Sequence, residues 1–190
     1  MRAILWLGFF PLGFFLAGVS THAQEPLQCQ CDHTSHAAYD QRNCGLCAEV
    51  DKAPTDVDVV FVKDNDARKP NRWLALPREH AAGTFQSLSD VPRQQRTELW
   101  RQAIARAKQD WGDRWGLAVN GTQARGQCHL HIHIGRLIDA VEWGEAMTVD
   151  EPGQIPDPGL LGIWVHPLSG AMSGKLHVHI EMSAETVLAR

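Results

Sequence analysis

Residues 129–134 read His129-Leu130-His131-Ile132-His133-Ile134, three imidazoles at a spacing of two with aliphatic residues between them. Side chains alternate faces along a strand, so the three rings are expected on one side and Leu130, Ile132 and Ile134 on the other. Neighbouring rings would stand roughly 7 Å apart, letting the middle one meet a reacting atom while the outer two reach groups beside that atom. Neutral imidazole is both a nucleophile and a metal ligand near physiological pH. The row therefore suits attack at phosphorus or metal binding, and the plain alternative is a polar strand face. A second alternation, His177-Val178-His179-Ile180, is read as an exposed or edge strand face. Together the two runs keep a metal reading open, against which stands the scarcity of nearby carboxylates that would orient ligating histidines.

A strand bearing such a row needs partners. Residues 57–63 form a β-branched and aromatic run, residues 64–70 a turn, and residues 72–76 a second run, the pattern of a hairpin with a long loop. Asp90 is placed to cap a helix with Pro92 in its first turn, and Trp100, Ile104, Ala107 and Trp111 recur at helical spacing until Gly112. A strand is expected at 117–120, followed by a loop holding Gly121 and Gly126 and then by the histidine strand, completing a meander. Two more strand-like runs lie at 161–165 and 175–182 in a Gly- and Pro-rich tail. The expected fold is α+β, an antiparallel meander sheet with one main helix across it over 57–136. A cysteine-bearing arm at 24–56 precedes this core, and a C-terminal β extension at 137–190 packs on the same domain.

Residues 1–23 read as a signal peptide, with Arg2 as the charged start, an apolar run from Ile4 to Val19 and the cleavage signal Thr21-His22-Ala23. The rival is an uncleaved anchor, although the run is slightly short for a spanning helix of roughly 20 residues. An exported chain is expected, periplasmic or on the periplasmic face of the inner membrane if the source is bacterial. Its net charge of −4 carries no basic excess, which argues against nucleic acid as a partner. The seven tryptophans are read as core packing rather than base stacking. Export favours disulfides joining Cys29 and Cys31 to Cys44 and Cys47. Zinc is the alternative, because Cys44-Gly45-Leu46-Cys47 has a knuckle spacing that His33, His36 or His80 would complete. Cys128 is read as a small buried residue.

The order of strand, turn, strand ending Leu76-Pro77-Arg78-Glu79-His80, helix, strand with Asn120, and His129-x-His131-x-His133 resembles the histidine triad superfamily. More narrowly, Cys47-Ala48-Glu49-Val50, Val62-Lys63-Asp64, and Leu117-Ala118-Val119-Asn120 leading through Gly126-Gln127 to the triad are similar to the CDP-diacylglycerol pyrophosphatase family. The resemblance implies that His131 attacks the nucleotide phosphorus, with its other ring nitrogen held by a backbone carbonyl of the same strand. It implies that His129 and His133 donate to the non-bridging oxygens, that Asn120 and Gln127 orient phosphate and leaving group, and that Asp64 accepts from ribose hydroxyls. Imidazole suits the role, since its phosphoramidate is labile.

The expected reaction is hydrolysis of CDP-diacylglycerol to phosphatidate and CMP through a nucleotidyl-histidine, requiring no metal or other cofactor. Soluble dinucleoside polyphosphates or nucleoside phosphoramidates are the alternative substrates, and a periplasmic metal-binding protein using both histidine runs and the cysteine arm is the alternative of another class. Peripheral membrane contact is open through Gly159-Leu160-Leu161-Gly162-Ile163-Trp164-Val165, for which a buried strand is preferred. Triad proteins are often dimers, yet no surface stripe here argues for one.

Overall fold

A computed structural model describes residues 29, 31, 42–78, 87–139 and 145–190, so the proposed signal peptide and the residues His33, His36 and His80 lie outside the described residues. Seven strands form a single antiparallel sheet: β1 (Val59–Lys63), β2 (Trp73–Pro77), β3 (Trp115–Val119), β4 (Ile132–Arg136), β5 (Ala146–Val149), β6 (Ile163–Pro167) and β7 (Leu176–Ile180). Their spatial order is β1-β2-β4-β3-β6-β7-β5, which differs from a simple meander because β4 returns between β2 and β3. The long helix α2 (Arg93–Trp111) carries the chain past the place that β4 then fills.

That helix follows from its residues. Leu99, Trp100, Ala103, Ile104 and Ala107 recur every three or four positions and are its buried face. Pro92 precedes the first turn, and Gly112 closes the last with φ 57°, a left-handed conformation that glycine adopts without strain. Asp90 does not cap α2; its carboxylate accepts from the Ser87 N–H at 2.8 Å and closes a separate 3₁₀ turn over Leu88–Asp90. The apolar stripe packs on the sheet face made by Val59, Ala75, Trp115, Leu117, Ile132, Ile134, Ile163, Val165 and Val178. Each aliphatic side chain so buried contributes roughly 1.5–3 kcal/mol of transfer free energy. Strand β5 has no counterpart in the sequence reading, because only Val149 of its four residues is buried and no apolar alternation announces it.

The opposite sheet face carries His133, His166, His177 and His179. Over β1 and β2 lies the short helix α1 (Gly45–Lys52), which buries Leu46 and Val50 against Val60, Leu74 and Leu76. Over β3 and β6 lies the C-terminal turn, where Ala184, Val187 and Leu188 cover Ala118 and Trp164. The cross-strand pair Gly116 and Gly135 opens a trough for Leu188, since a Cβ on Gly116 would come within 2.6 Å of Leu188 Cδ2. One row, Val62-Leu74-His133-Ala118-Trp164-His179-Ala146, runs in register across all seven strands of this face.

Two disulfides are present, and their pairing corrects the expectation. Cys31 bonds Cys44, while Cys29 bonds Cys128, with Cα–Cα distances of 5.6 and 5.5 Å. Cys128 is buried as expected but is not a lone thiol. Cys47 is the free one, and burial, with the nearby Asp51 charge, pushes its pKa up to about 11. Such a thiol is protonated at neutral pH and chemically quiet. No helix among the described residues is long and apolar enough to cross a membrane.

Candidate active site

The strand starts later than its sequence suggests. Regular β4 begins at Ile132, so only His133 of the triad lies within it, and His129 and His131 occupy the approach from the disulfide-anchored Cys128. His129 is fully buried and turns toward β2, donating from Nε2 to the Pro77 carbonyl at 3.0 Å with Nδ1 facing the Cys47 thiol at 4.0 Å. His131 and His133 meet edge to face with ring centroids 4.6 Å apart. Leu130, Ile132 and Ile134 lie together in the core under α2, on the side away from these rings, as the alternation expects.

His131 Nδ1 donates to the His129 carbonyl at 2.8 Å. A ring that gives its Nδ1 proton to a carbonyl is in the tautomer whose lone pair sits on Nε2. Burial lowers the pKa of His131, opposed by that hydrogen bond and reinforced by the Arg125 charge. His133 is pushed well below its ordinary 6.5, first by burial and then by His131. Both rings are thus held neutral. In an NMR titration we expect the His131 ring to remain neutral as pH falls through 6.5, its ordinary value. Because the folded pKa lies below the unfolded one, the stability contributed by neutral His131 is present above 6.5 and is lost as pH falls through the folded value. A ring midpoint at or above 6.5 would refute this.

Around the two rings stand residues from distant parts of the chain. Asn120, the residue after β3, is buried. Its side-chain oxygen accepts from the Glu185 N–H at 2.9 Å, which ties the C-terminal turn to the site. The Glu185 carboxylate meets Arg72 Nη1 at 2.9 Å and Lys69 Nζ at 2.8 Å, and lies 3.6 Å from His133 Nδ1. Burial raises the pKa of Glu185, but the neighbouring His133, Lys69 and Arg72, in that order, lower it further, to about 2. Asp64 lies at the end of β1, accepts from the Asp66 N–H at 3.0 Å, and its charge acts on both His131 and Arg72. The side-chain oxygen of Gln127 accepts from the Leu46 N–H at 3.3 Å, at the first turn of α1.

Arg125 is the most telling member. It is 7% exposed, and its Nε and Nη1 have no hydrogen-bond partner among the described residues. Buried N–H groups left without acceptors cost free energy unless something anionic reaches them; of the described charges, that of Asp90 acts on this guanidinium. Arg125 lines a small cleft with Asn120, Thr122, Leu88, Pro158 and Leu161, and its charge acts on His131. Both His133 nitrogens likewise lack a hydrogen-bond partner among the described residues. Lys69, Arg72, Arg125 and Glu185 were not singled out from sequence. Arg125 sits in a glycine-flanked loop two residues from Gln127, a signal that was present; Glu185 belongs to a tail with no motif, and only folding brings it near.

Compared with protein-family models and with curated proteins, the chain matches none.

Proposed function

We propose that the protein is a nucleotide pyrophosphate hydrolase working through a nucleotidyl-histidine, with CDP-diacylglycerol as the preferred substrate. The observation that carries this reading is the 2.8 Å contact from His131 Nδ1 to the His129 carbonyl, which leaves a neutral lone pair on Nε2. Nε2 attacks the phosphorus of the CMP moiety, the P–O bond to the second phosphate breaks, and phosphatidate leaves with those electrons. Water then attacks the same phosphorus, the P–N bond breaks onto His131, and CMP departs. Arg125 offers a charge-assisted fork to the phosphate oxygens, and His133 stabilises charge developing on them. His129 serves by its carbonyl rather than its ring.

Support for a lipid leaving group comes from the cleft's rim. Leu161 lines it and is 47% exposed, and its neighbour Leu160 is 72% exposed, while Ile163–Val165 beyond them are buried in β6. The two disulfides are compatible with export, and the reading places the mature enzyme in the periplasm or at the membrane surface. Similarity to the histidine triad superfamily enters here as part of the same proposal.

The test is turnover of CDP-diacylglycerol in mixed micelles against water-soluble CDP-alcohols and dinucleoside tetraphosphates, with CMP or NMP release measured. A preference for the lipid substrate is expected. Equal rates would remove the lipid assignment, and no nucleotide release from any of them would remove the hydrolase. A substitution separates site from scaffold: in Arg125→Met the hydrolysis rate should fall about a hundredfold, while thermal stability stays level or rises because buried N–H groups without acceptors are removed. A large loss of stability would instead make Arg125 structural.

A further inference from the structure

We propose that His166, His177 and His179 bind a divalent transition ion of the zinc class, at a site separate from the triad and with its fourth position left to water. His166 comes from β6 and the other two from the adjacent β7, where alternation puts all three on the sheet face opposite α2. Their ligating nitrogens lie within 4.8 Å of one another. His177 Nδ1 stands 3.3 Å from His166 Nε2 and 3.3 Å from His179 Nε2. With Zn–N bonds of about 2.0–2.1 Å, the nitrogens of a tetrahedral site are about 3.3–3.4 Å apart, so these two edges already have the required length.

Proton counting points the same way. His166 Nδ1 donates to the Pro167 carbonyl at 3.0 Å, so in the neutral ring its Nε2 presents a lone pair to the cluster. Among neutral rings, a single proton on His177 Nδ1 serves one neighbouring nitrogen at a time. A cation at the centre is served by three lone pairs together. The carbonyl partner on His166 is also what a ligating imidazole ordinarily has behind it.

The rings are held in place beforehand. Trp164 stacks on His179 at 3.7 Å and 3°, and on His166 at 5.2 Å and 19°. His177 meets both other imidazoles edge-on, at 68° and 70°. Little rearrangement is then needed on binding. His166 and His179 are buried and His177 is half-buried, which leaves an approach from solvent. In the cross-strand row, Ala118 and Trp164 stand between His133 and His179, so about 14 Å separates the two centres and no ion bridges them.

The experiment uses the full disulfide-bonded chain without an affinity tag, stripped by chelator and titrated with cobalt(II). One equivalent should develop the visible bands of four-coordinate cobalt and be displaced by one equivalent of zinc, and zinc should raise the melting temperature. His177→Ala and His179→Ala should weaken uptake more than about a hundredfold, beyond the effect of losing an outer-shell partner. His131→Ala should leave it unchanged. Fluorescence of Trp164, quenched by copper(II) in the parent chain and not in His177→Ala, reads the same site without relying on stability. Absence of stoichiometric uptake, bands that survive in the double variant His177→Ala/His179→Ala, or bands lost in His131→Ala would each overturn the proposal.

Discussion

His131→Ala is expected to lower nucleotide hydrolysis by at least about 10⁴-fold, the scale on which removing a nucleophile from an otherwise intact site acts. Mass spectrometry of the parent protein quenched during turnover should show a nucleotide-sized adduct on His131 that is absent from the variant. The variant should keep its fold, because among the described residues the ring's hydrogen bond is to the backbone two residues away and its neighbours His129 and His133 are held by β2 and β4. Loss of the cooperative melt in His131→Ala would make the ring structural. An adduct persisting in the variant would move the nucleophile elsewhere.

The second large effect falls on stability. Arg72 is 3% exposed and holds the C-terminal segment: Nε donates to the Ala189 carbonyl at 2.9 Å, Nη1 to Glu185 at 2.9 Å, and Nη2 to the Leu188 carbonyl. Replacing it by Met leaves those carbonyls without their donor and the Glu185 carboxylate with Lys69 alone, a break that costs about 3–5 kcal/mol in comparable buried pairs. For a chain of this size that corresponds to a fall in melting temperature of about 10 °C. Glu185 gives the effect a pH signature. Its pKa falls from 4.5 to about 2 on folding, so its contribution is present above 4.5 and is lost as pH drops towards 2. Arg72→Met should therefore flatten the acid side of the stability profile as well as lower it. An unchanged melt and profile would show that the tail is held by Leu188 and Val187 alone.

Much of this arrangement was legible beforehand, and the omissions have physical reasons. The α2 stripe and the paired runs around residues 57–76 announce themselves because apolar residues recur at 3.6 or at two, and the periods match the elements found. The pairing of β3 with β4 was legible from the hairpin that joins them, a short-range feature. The contacts of His129 with Pro77 and Cys47 were not legible, because both partners lie more than fifty positions away. The Cys29–Cys128 bond spans 99 residues, a separation for which local spacing carries no information. Arg72, Glu185 and His166 share that difficulty: each acquires its role from a partner more than ten positions away.

The in-register row from Val62 to Ala146 makes the sheet a fixed ruler between its two imidazole centres. Neither a loop nor a side-chain rotation can shorten that span, since every unit of it is a hydrogen-bonded strand spacing. What happens at one end, ligand capture or chemistry, reaches the other only through the electrostatics of the intervening strands or through the sheet as a whole, and the two ends are free to change independently of one another.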